Sequence, residues 1–376
     1  MPIPNLVHSD FGSADETAGG LLTIDLAAVE ANWRHLSALA NGVPCAGVVK
    51  ADAYGVGAVE VTKRLLASGC RSFFVAQFVE ALELKPLLPT DATIAVLNGL
   101  LPGSESAYQA AGIIPVANSL AQLVAWSRFC ADFGKRLPVY LQIDTGMARL
   151  GLSESELQQL TASPELFEAV SLELVMSHLA CGDEPDSPAN QAQLDRFNRA
   201  RAMLPKARAS FANSAGIFLG PDYHFDLCRP GAALYGINVG PLTEGIRQVV
   251  ALHGRIAQIR SVPAGTSVGY SHTFTATQPM RLATVAVGYA DGLPRSLGNA
   301  GSAWVDGIRL PIVGRVSMDS MIIDITALPD GRLKPGDFVE LIGPHQCADD
   351  LGRDAGTMGY EVLTRLGSRY PRVYRR

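Results

Sequence analysis

The chain has 376 residues, of which 48% are hydrophobic and 18% charged, so it is long enough for two domains of ordinary size. Its formal net charge is −5 and no basic run stands out, which argues against nucleic acid or an anionic membrane as a partner. No apolar run approaches the length of a transmembrane helix, and no Lys or Arg precedes Arg34, so the basic region of a signal peptide is missing.

The first 20 residues show no periodicity and are interpreted as a leader. Residues 22–24 predict a short strand, and Asp25 is the expected N-cap of a helix that continues to about Ala40. A unit of apolar strand, turn and amphipathic helix then recurs at roughly the spacing of βα units. The predicted strands are 46–50, 72–76, 93–97, 113–117, 138–144, 173–178, 209–213 and 225–229, and the predicted helices include 58–67, 119–133, 154–161 and 190–204.

Eight such units predict a (β/α)8 TIM barrel over residues 21–245. A doubly wound sheet is the alternative, but no G-x-G-x-x-G follows the first strand. The active-site residues of a barrel gather at the C-terminal ends of its strands. The predicted strand ends carry an unusual set of polar side chains: Lys50, Asp144 with Arg149 just after it, His178, Asn213 with Ser214, and Arg229.

The pattern changes near residue 245, where apolar and polar residues begin to alternate. Asp306-Gly307 predicts a hairpin turn there, and a short helix is expected near 360–366. The predicted strands are 249–260, 280–288, 303–312, 321–325 and 338–342. We therefore predict a second, mostly β domain over residues 246–376.

The six cysteines are scattered along the chain, and no CxxC pair occurs. This usage favours reduced core thiols in a cytoplasmic enzyme over disulfides or a zinc site. We therefore expect a cytoplasmic protein without a metal.

Lys50 follows a run of small and β-branched residues and precedes a turn rich in Gly and Asp, which predicts a buried strand that ends in a cation. A lysine that loses hydration there has a lowered pKa, so its neutral amine becomes available as a nucleophile. Such an amine forms a Schiff base with a carbonyl substrate or with pyridoxal phosphate. A lysine that only extends into solvent is the alternative.

Two loops offer donors to a phosphate group. They are NSAG (213–216) and RPGA (229–232). Barrels often hold phosphate between their last two βα loops, although each loop taken singly also fits an ordinary N-cap or turn.

Further motifs run through the whole chain in a fixed order. They are VVKADAYG (48–55), DTGMARLG (144–151), NSA (213–215), RPG (229–231), GY (269–270), GYADG (288–292), GRVSMD (314–319) and GYE (359–361). With these motifs, the sequence from about Leu22 to the C-terminus resembles the pyridoxal-phosphate-dependent alanine racemases of fold type III.

The resemblance implies that Lys50 carries the cofactor as an internal aldimine and acts as one proton-transfer group. It implies that Tyr270, from the second subunit of a homodimer, acts on the opposite face of the substrate. Racemisation needs both groups, because a proton removed from one face of Cα must return to the other. A tyrosine with its ordinary pKa of about 10 is a poor base, so Tyr270 needs cationic surroundings.

By the same resemblance, Arg229 faces the pyridine nitrogen of the cofactor, and His178 lies behind the ring. Arginine has no proton to give, so that nitrogen stays unprotonated and reprotonation at Cα is favoured over transamination. The groups implied to hold the phosphate are Tyr54, Ser214, Tyr360 and the backbone amides of Gly231 and Ala232.

Arg149 is implied to bind the substrate carboxylate, for which a planar bidentate donor is suited. The backbone N–H of Met318 of the second subunit would assist it, although core packing is the alternative for Met318. Tyr289 and Asp319 are implied to line the substrate entrance, where crowding restricts the substrate side chain to about a methyl group.

Three positions depart from the family pattern. Gln142, seven residues before Arg149, replaces a lysine that many members carbamylate, so the orientation of Arg149 is an open question. Ser210 stands where some members have a histidine bonded to the pyridine-facing arginine, and Ser317 replaces a common cysteine. None of these changes removes a catalytic group.

The resemblance implies an isomerase that interconverts L- and D-alanine by two-base proton transfer at Cα and supplies D-alanine for peptidoglycan. A broader amino-acid racemase, for example one acting on serine, is an alternative because the pocket shape is not readable from sequence. A non-catalytic pyridoxal-phosphate carrier is another, although it would need neither Tyr270 nor Met318. A decarboxylase of similar architecture is disfavoured by Arg229.

Overall fold

The structure, a computed structural model, describes residues 17–375 and divides them into two compact units. One unit comprises residues 29–247, and the other comprises residues 17–28 together with 248–375. Among the helices of this described part, none is long and apolar enough to cross a membrane.

Seventeen strands and ten α-helices follow one another along the described chain. The strands are β1 (Gly20–Asp25), β2 (Gly47–Val48), β3 (Ser72–Val75), β4 (Thr93–Val96), β5 (Ile114–Ala117), β6 (Leu137–Gln142), β7 (Val170–Met176), β8 (Arg208–Ser210), β9 (Val250–Val262), β10 (Ser267–Val268), β11 (Phe274–Thr275), β12 (Met280–Val285), β13 (Ser302–Val305), β14 (Ile308–Pro311), β15 (Met321–Asp324), β16 (Phe338–Ile342) and β17 (Arg372–Arg375). The helices are α1 (Leu26–Leu39), α2 (Ala58–Ala67), α3 (Phe78–Leu84), α4 (Glu105–Ala111), α5 (Leu120–Phe133), α6 (Glu154–Thr161), α7 (Pro188–Ala202), α8 (Ser214–Phe218), α9 (Ala348–Ala355) and α10 (Gly359–Arg365).

Strands β2 to β8 pair in sequence order, and every pair is parallel. The segment around Cys228 closes this sheet, because it forms a parallel bridge with Cys45 and the N–H of Arg229 donates to the carbonyl of Ala212. The predicted (β/α)8 barrel is therefore confirmed, with its eighth strand reduced to a single bridge. The interior is filled by small, branched and aromatic side chains: Ala46, Val48, Phe74, Ala95, Ile114, Val116, Tyr140, Leu174, Met176 and Leu227.

Capping side chains start several helices at the predicted positions. Asp25 Oδ1 accepts from the N–H of Ala28 at 2.8 Å, as expected for the N-cap of α1. Ser119 caps α5 by accepting from the N–H of Gln122. Helices α2 and α6 have the predicted bounds, because their apolar residues recur at helical spacing between clear start and stop signals.

The second unit is built on an eight-stranded sheet in which the long strand β9 pairs with β1, β12 and β16. Strands β13 and β14 form the hairpin predicted at Asp306-Gly307, where φ is 51° and 77°. Two positive φ values in succession are those of a tight type I′ turn. The prediction of a mostly β second half is therefore confirmed.

Strand β1 lies outside the barrel unit, although the predicted domain boundary places residues 21–28 with the barrel. Leu22 instead pairs with Leu252 of β9 and with Arg372 of β17, so this strand belongs to the β unit. The pairing joins segments more than 200 residues apart, which strand spacing along the chain does not indicate. Most of the predicted leader at residues 1–20 lies outside the described residues.

Candidate active site

The C-terminal ends of the barrel strands bring together four of the predicted side chains. Lys50 follows β2, Arg149 follows β6, His178 follows β7, and Arg229 follows the closing segment. Loss of hydration and the positive charges of Arg229, Arg149 and Lys50 lower the pKa of His178 to about 3. These residues, distant in sequence, therefore share one electrostatic environment.

Lys50 begins a left-handed turn, Lys50–Gly55, rather than ending a regular strand as predicted. The four residues after it, Ala51 to Tyr54, have φ between 52° and 57°, although none is glycine. Each non-glycine residue in this conformation costs about 1–2 kcal/mol, so the turn stores roughly 4–8 kcal/mol that the surrounding structure must offset. Burial and the charge of Arg149 lower the pKa of Lys50, which favours the neutral, nucleophilic amine.

Tyr54, on the same turn, stacks on the buried ring of Tyr235, with centroids 4.8 Å apart. The Tyr235 hydroxyl donates to the carbonyl of Val48 at 2.8 Å, so one buried side chain supports both Tyr54 and the strand that leads to Lys50. A Cβ added to Gly231 would lie 2.6 Å from the Tyr54 hydroxyl oxygen. Only glycine therefore leaves the space beside that hydroxyl open.

Ser214 and the RPGA loop meet at the same place. Ser214 Oγ accepts from the N–H of Gly231 at 2.8 Å and from the N–H of Ala233 at 3.3 Å. Ala232 begins a short 3-10 helix, Ala232–Tyr235, so its N–H has no partner within that helix. The hydroxyls of Tyr54 and Ser214 and the N–H of Ala232 thus lie around Gly231, and they form a donor set suited to an anion.

Arg229 is buried and its guanidinium is held from two sides. One nitrogen donates to the Ser177 carbonyl at 2.6 Å, and the other donates to Ser210 Oγ, which itself donates to the Leu227 carbonyl at 2.5 Å. Ser210, noted above as a departure, therefore supplies an acceptor for this arginine. Burial lowers the pKa of Arg229 to about 10, so the side chain remains charged at neutral pH.

His178 keeps a defined tautomer through Asn213. The Asn213 Oδ1 accepts from the N–H of Gly216 at 2.9 Å, which directs the amide nitrogen toward His178 Nε2 at 3.5 Å. Since an amide nitrogen donates, Nε2 accepts and the ring proton lies on Nδ1. This assignment agrees with a neutral imidazole, as its low pKa requires.

A buried chain of hydrogen bonds supports the strand ends behind Arg229. Gln193 Nε2 donates to Thr145 Oγ1 at 3.1 Å and to the His178 carbonyl at 3.0 Å. Thr145 Oγ1 lies 2.8 Å from Ser177 Oγ, which donates to the Ile143 carbonyl at 2.7 Å. The chain ties α7 to the ends of β6 and β7.

Arg149 is exposed and follows a loop that is ordered by Asp144. The Asp144 carboxylate accepts from the N–H groups of Gly146, Met147 and Ala148. Gln142 donates from Nε2 to the Leu150 carbonyl at 3.2 Å, so it supports this loop through the backbone. This contact gives Gln142 a role that sequence alone left open.

The remaining predicted residues belong to the β unit, and three of them lie close together. Ser317 and Met318 offer carbonyls that accept from the N–H groups of Tyr289 and Ala290, at 3.0 and 2.9 Å. A Cβ at Gly288 would lie 2.4 Å from the Met318 carbonyl oxygen, so glycine permits this approach. Asp319, next to Met318, bonds to Arg369 at 2.7 Å.

Tyr270 lies on a short 3-10 turn between Gly269 and two residues with positive φ, Ser271 and His272. Its side chain is 69% exposed, and those of Met318, Tyr289 and Tyr360 are 53%, 42% and 40% exposed. Both predicted catalytic residues thus adjoin strained backbone, as is common at functional sites.

Sequence reasoning missed several residues that the structure places at the site, among them Glu80, Ser177, Gln193 and Tyr235. Each acts through a hydrogen bond or ring contact to a segment distant in sequence. The local signal for Tyr235 was its position in the apolar segment just after the RPG motif. A buried tyrosine there usually has a hydrogen-bond partner for its hydroxyl.

Taken together, fold and site define a barrel protein with a lysine-centred, cation-rich site and a loop whose donors are suited to an anion. Comparison with known families identifies the family of this barrel protein. The family model described as "Alanine racemase, N-terminal domain" matches residues 24–239, and "Alanine racemase, C-terminal domain" matches residues 249–374. The chain belongs to the alanine racemase family.

Individual relatives are similar over nearly their whole length. A protein of Mesorhizobium japonicum described as "Alanine racemase, catabolic" is 52% identical over 362 residues, which cover 96% of this chain and 94% of the relative. An alanine racemase of Brucella canis is 50% identical over 375 residues, with the same two coverages. The crystal structure of alanine racemase from Bartonella henselae, with covalently bound pyridoxal phosphate, has a TM-score of 0.92 at 45% identity and covers 95% of this chain and 100% of that one.

Proposed function

We propose that this protein is a pyridoxal-phosphate-dependent racemase that interconverts L- and D-alanine. The main support for the proposal is that one end of the barrel carries both Lys50, whose pKa is lowered, and the loop in which Ser214 Oγ accepts from the N–H of Gly231. The family membership and the cofactor of the Bartonella henselae enzyme support the same reading.

The residues present fit pyridoxal phosphate. The hydroxyls of Tyr54 and Ser214 and the N–H of Ala232 would donate to the phosphate group beside Gly231, whose own N–H donates to Ser214 Oγ. The resemblance adds Tyr360 as a further hydroxyl. Lys50 would carry the cofactor covalently. When bound, the cofactor withdraws electrons from Cα of the substrate and so weakens its C–H bond.

Arg229 would face the ring nitrogen of the cofactor. Its pKa of about 10 keeps it charged, so it donates hydrogen bonds without giving up a proton. His178, neutral at the same end of the barrel, adds no further charge. This arrangement limits electron withdrawal and favours return of the proton to Cα over transamination.

Lys50 and Tyr270 would act on opposite faces of Cα, one removing the proton and the other returning it. We propose that Tyr270 comes from the partner subunit of a homodimer. The exposure of Tyr270, Met318 and Tyr289 supports this, because such a surface is suited to completing a site on another chain. The cations around Lys50 would also help a tyrosinate to form.

Arg149 would bind the substrate carboxylate, with the N–H of Met318 as a second donor. Tyr289 and Asp319 would line the substrate entrance, and Arg369 would hold Asp319 in place. A racemase acting on serine remains the second substrate candidate, since a hydroxyl adds little bulk.

We propose that the enzyme works in the cytoplasm and supplies D-alanine for peptidoglycan. All six cysteines, each within the described residues, are free thiols, which suits a reducing compartment. A catabolic role is the second candidate, because the relative from Mesorhizobium japonicum is described as catabolic.

A coupled or polarimetric assay with L-alanine, L-serine and L-lysine tests the substrate proposal. We expect L-alanine to be racemised with the highest kcat/KM of the three. A higher kcat/KM for serine or lysine would assign the broader racemase, and no turnover of any amino acid by cofactor-loaded protein would exclude a racemase.

A further inference from the structure

We infer that Glu80, on helix α3, is a positioning residue for Lys50, because its carboxylate holds the left-handed turn that follows the lysine. The inference deepens the proposed function and rests on it, since it assumes that Lys50 carries the cofactor. It concerns a residue outside every motif identified in the sequence.

The Glu80 carboxylate joins two segments of the barrel end. Its Oε1 accepts from the N–H of Ala51 at 2.5 Å. Its Oε2 accepts from the N–H groups of Ala76 and Gln77, both at 2.8 Å. One side chain therefore fastens the residue after Lys50 to the loop between β3 and α3.

Ala51 is the residue at which this contact matters most. It is the first of four consecutive residues with positive φ, and it has a Cβ that disfavours this conformation. Other bonds hold the later part of the turn, from the Ala53 N–H to the Val49 carbonyl and from the Ala58 N–H to Asp52 Oδ1. Loss of the Glu80 contact would let Ala51 relax, which would rotate the peptide next to Lys50.

The charge of Glu80 acts on the same lysine. The groups around Lys50 are Arg149, which disfavours its protonation, Glu80, which favours it, and the Tyr54 ring 6.0 Å away, with His178 neutral nearby. Removing the negative charge should therefore make the cofactor-linked lysine lose its proton at a lower pH.

Glu80 also caps α3, so the test must separate capping from positioning. Glu80→Gln has only one acceptor oxygen, and its NH2 group cannot accept from any of the three N–H groups. Glu83→Gln is the matched control, because Glu83 is exposed on the same helix and loses the same charge. Ala51→Gly in the Glu80→Gln background is the rescue variant, because glycine adopts positive φ without steric cost.

The four proteins should be loaded with pyridoxal phosphate and compared by the pH titration of the visible cofactor chromophore, by thermal unfolding and by kcat and KM. We expect Glu80→Gln to lower kcat about tenfold and to shift the chromophore titration to lower pH by about half a unit or more. Ala51→Gly should recover most of the lost kcat, and Glu83→Gln should match the wild type.

An unchanged chromophore titration and kcat in Glu80→Gln would overturn the inference, as would a lower Tm with an unchanged titration. Failure of Ala51→Gly to rescue would also contradict it, because a capping defect at Ala76 and Gln77 would not respond to residue 51. A wild-type protein that forms no chromophore would remove the proposed function itself, and the inference with it.

Discussion

Lys50, Arg149 and Arg229 surround a histidine whose pKa of about 3 keeps it neutral at physiological pH. Two arginines, a lysine and a neutral imidazole at the end of a barrel suit a ligand that carries negative groups, such as a phosphate and a carboxylate. Burial and the charge of Arg149 lower the pKa of Lys50. The chemistry proposed for the lysine thus follows from its neighbours as much as from its own position.

Lys50→Ala should remove the visible chromophore that forms with pyridoxal phosphate and that borohydride reduces. The reason is that alanine offers no amine for the covalent link. Absorbance spectra before and after reduction provide the measurement. A spectrum identical to that of the wild type would exclude Lys50 as the point of attachment.

Gly231→Ala should weaken pyridoxal-phosphate binding about tenfold, or about 1.4 kcal/mol. An added Cβ would lie 2.6 Å from the Tyr54 hydroxyl, and stacking on Tyr235 restricts how far that ring can move. Fluorescence titration of the apoenzyme measures the Kd. Gly367→Ala is the control, because its Cβ would meet nothing closer than 3.4 Å. Equal affinity of both variants would argue against a phosphate site at Gly231.

Residue roles could be predicted where they belong to a local motif and missed where they depend on distant contacts. Lys50 and Arg229 stand at the ends of apolar segments, which the sequence reveals. Ser177 acts on Arg229 through its backbone carbonyl, so its side-chain identity carries no signal. Glu80 looks like any exposed helical glutamate until the loop around Ala51 is placed beside it.

At the scale of elements, two short irregular segments present the barrel-end cations. The left-handed turn Lys50–Gly55 carries Lys50, and the loop after β6 carries Arg149. In the second segment, Asp144 gathers three successive backbone N–H groups, much as a helix cap does. Side-chain carboxylates therefore fix backbone that has no regular partner.

Asp144→Ala should raise KM for L-alanine roughly tenfold while kcat changes less, because the loop would no longer hold Arg149 in one position. Asp144→Asn keeps Oδ1, which accepts from all three N–H groups, but replaces Oδ2, which also accepts from the Ala148 N–H, with a donor. It should therefore raise KM less than Asp144→Ala does. Steady-state kinetics measure both constants. Equal defects in the two variants would point to the charge of Asp144 rather than to its hydrogen bonds.

Regular elements were predictable from spacing and caps, as α2, α6 and β16 illustrate. The turn after Lys50 was predicted only as a turn, and its handedness was not. Residues such as Ala51 and Tyr54 ordinarily avoid positive φ, and only tertiary contacts hold them there. The closing barrel strand was predicted at 225–229, but Phe225 has φ of 52° and the observed pairing shrinks to one bridge.

At the scale of the molecule, the two units divide the proposed chemistry. The barrel unit holds Lys50, Arg149 and Arg229, and the β unit holds Tyr270 and Met318. Strands β1 and β9 pair in one sheet although they are far apart in sequence. The topology of this sheet was hard to predict because such distant partners carry no spacing signal. Tyr270 is 69% exposed, and its action in a second copy of the chain remains a proposal.

Mixing Lys50→Ala and Tyr270→Phe proteins after dissociation should restore up to about a quarter of the wild-type activity, if sites are shared between subunits. Half of the dimers would be hybrids, and one of the two sites in each hybrid would contain both wild-type residues. The measurement is alanine racemisation by the mixture compared with each variant alone. Activity no greater than that of the separate variants would show that each site uses residues of one chain.

The most direct test of the proposed function is incubation of the cofactor-loaded protein in D2O with L-alanine or D-alanine. Optical rotation and the Cα proton signal in NMR spectra are followed together. The proposed function predicts that either enantiomer reaches an equal mixture of both, with deuterium at Cα. Unchanged rotation with the Cα proton retained would contradict it, and so would conversion of alanine to pyruvate or ethylamine as the main product.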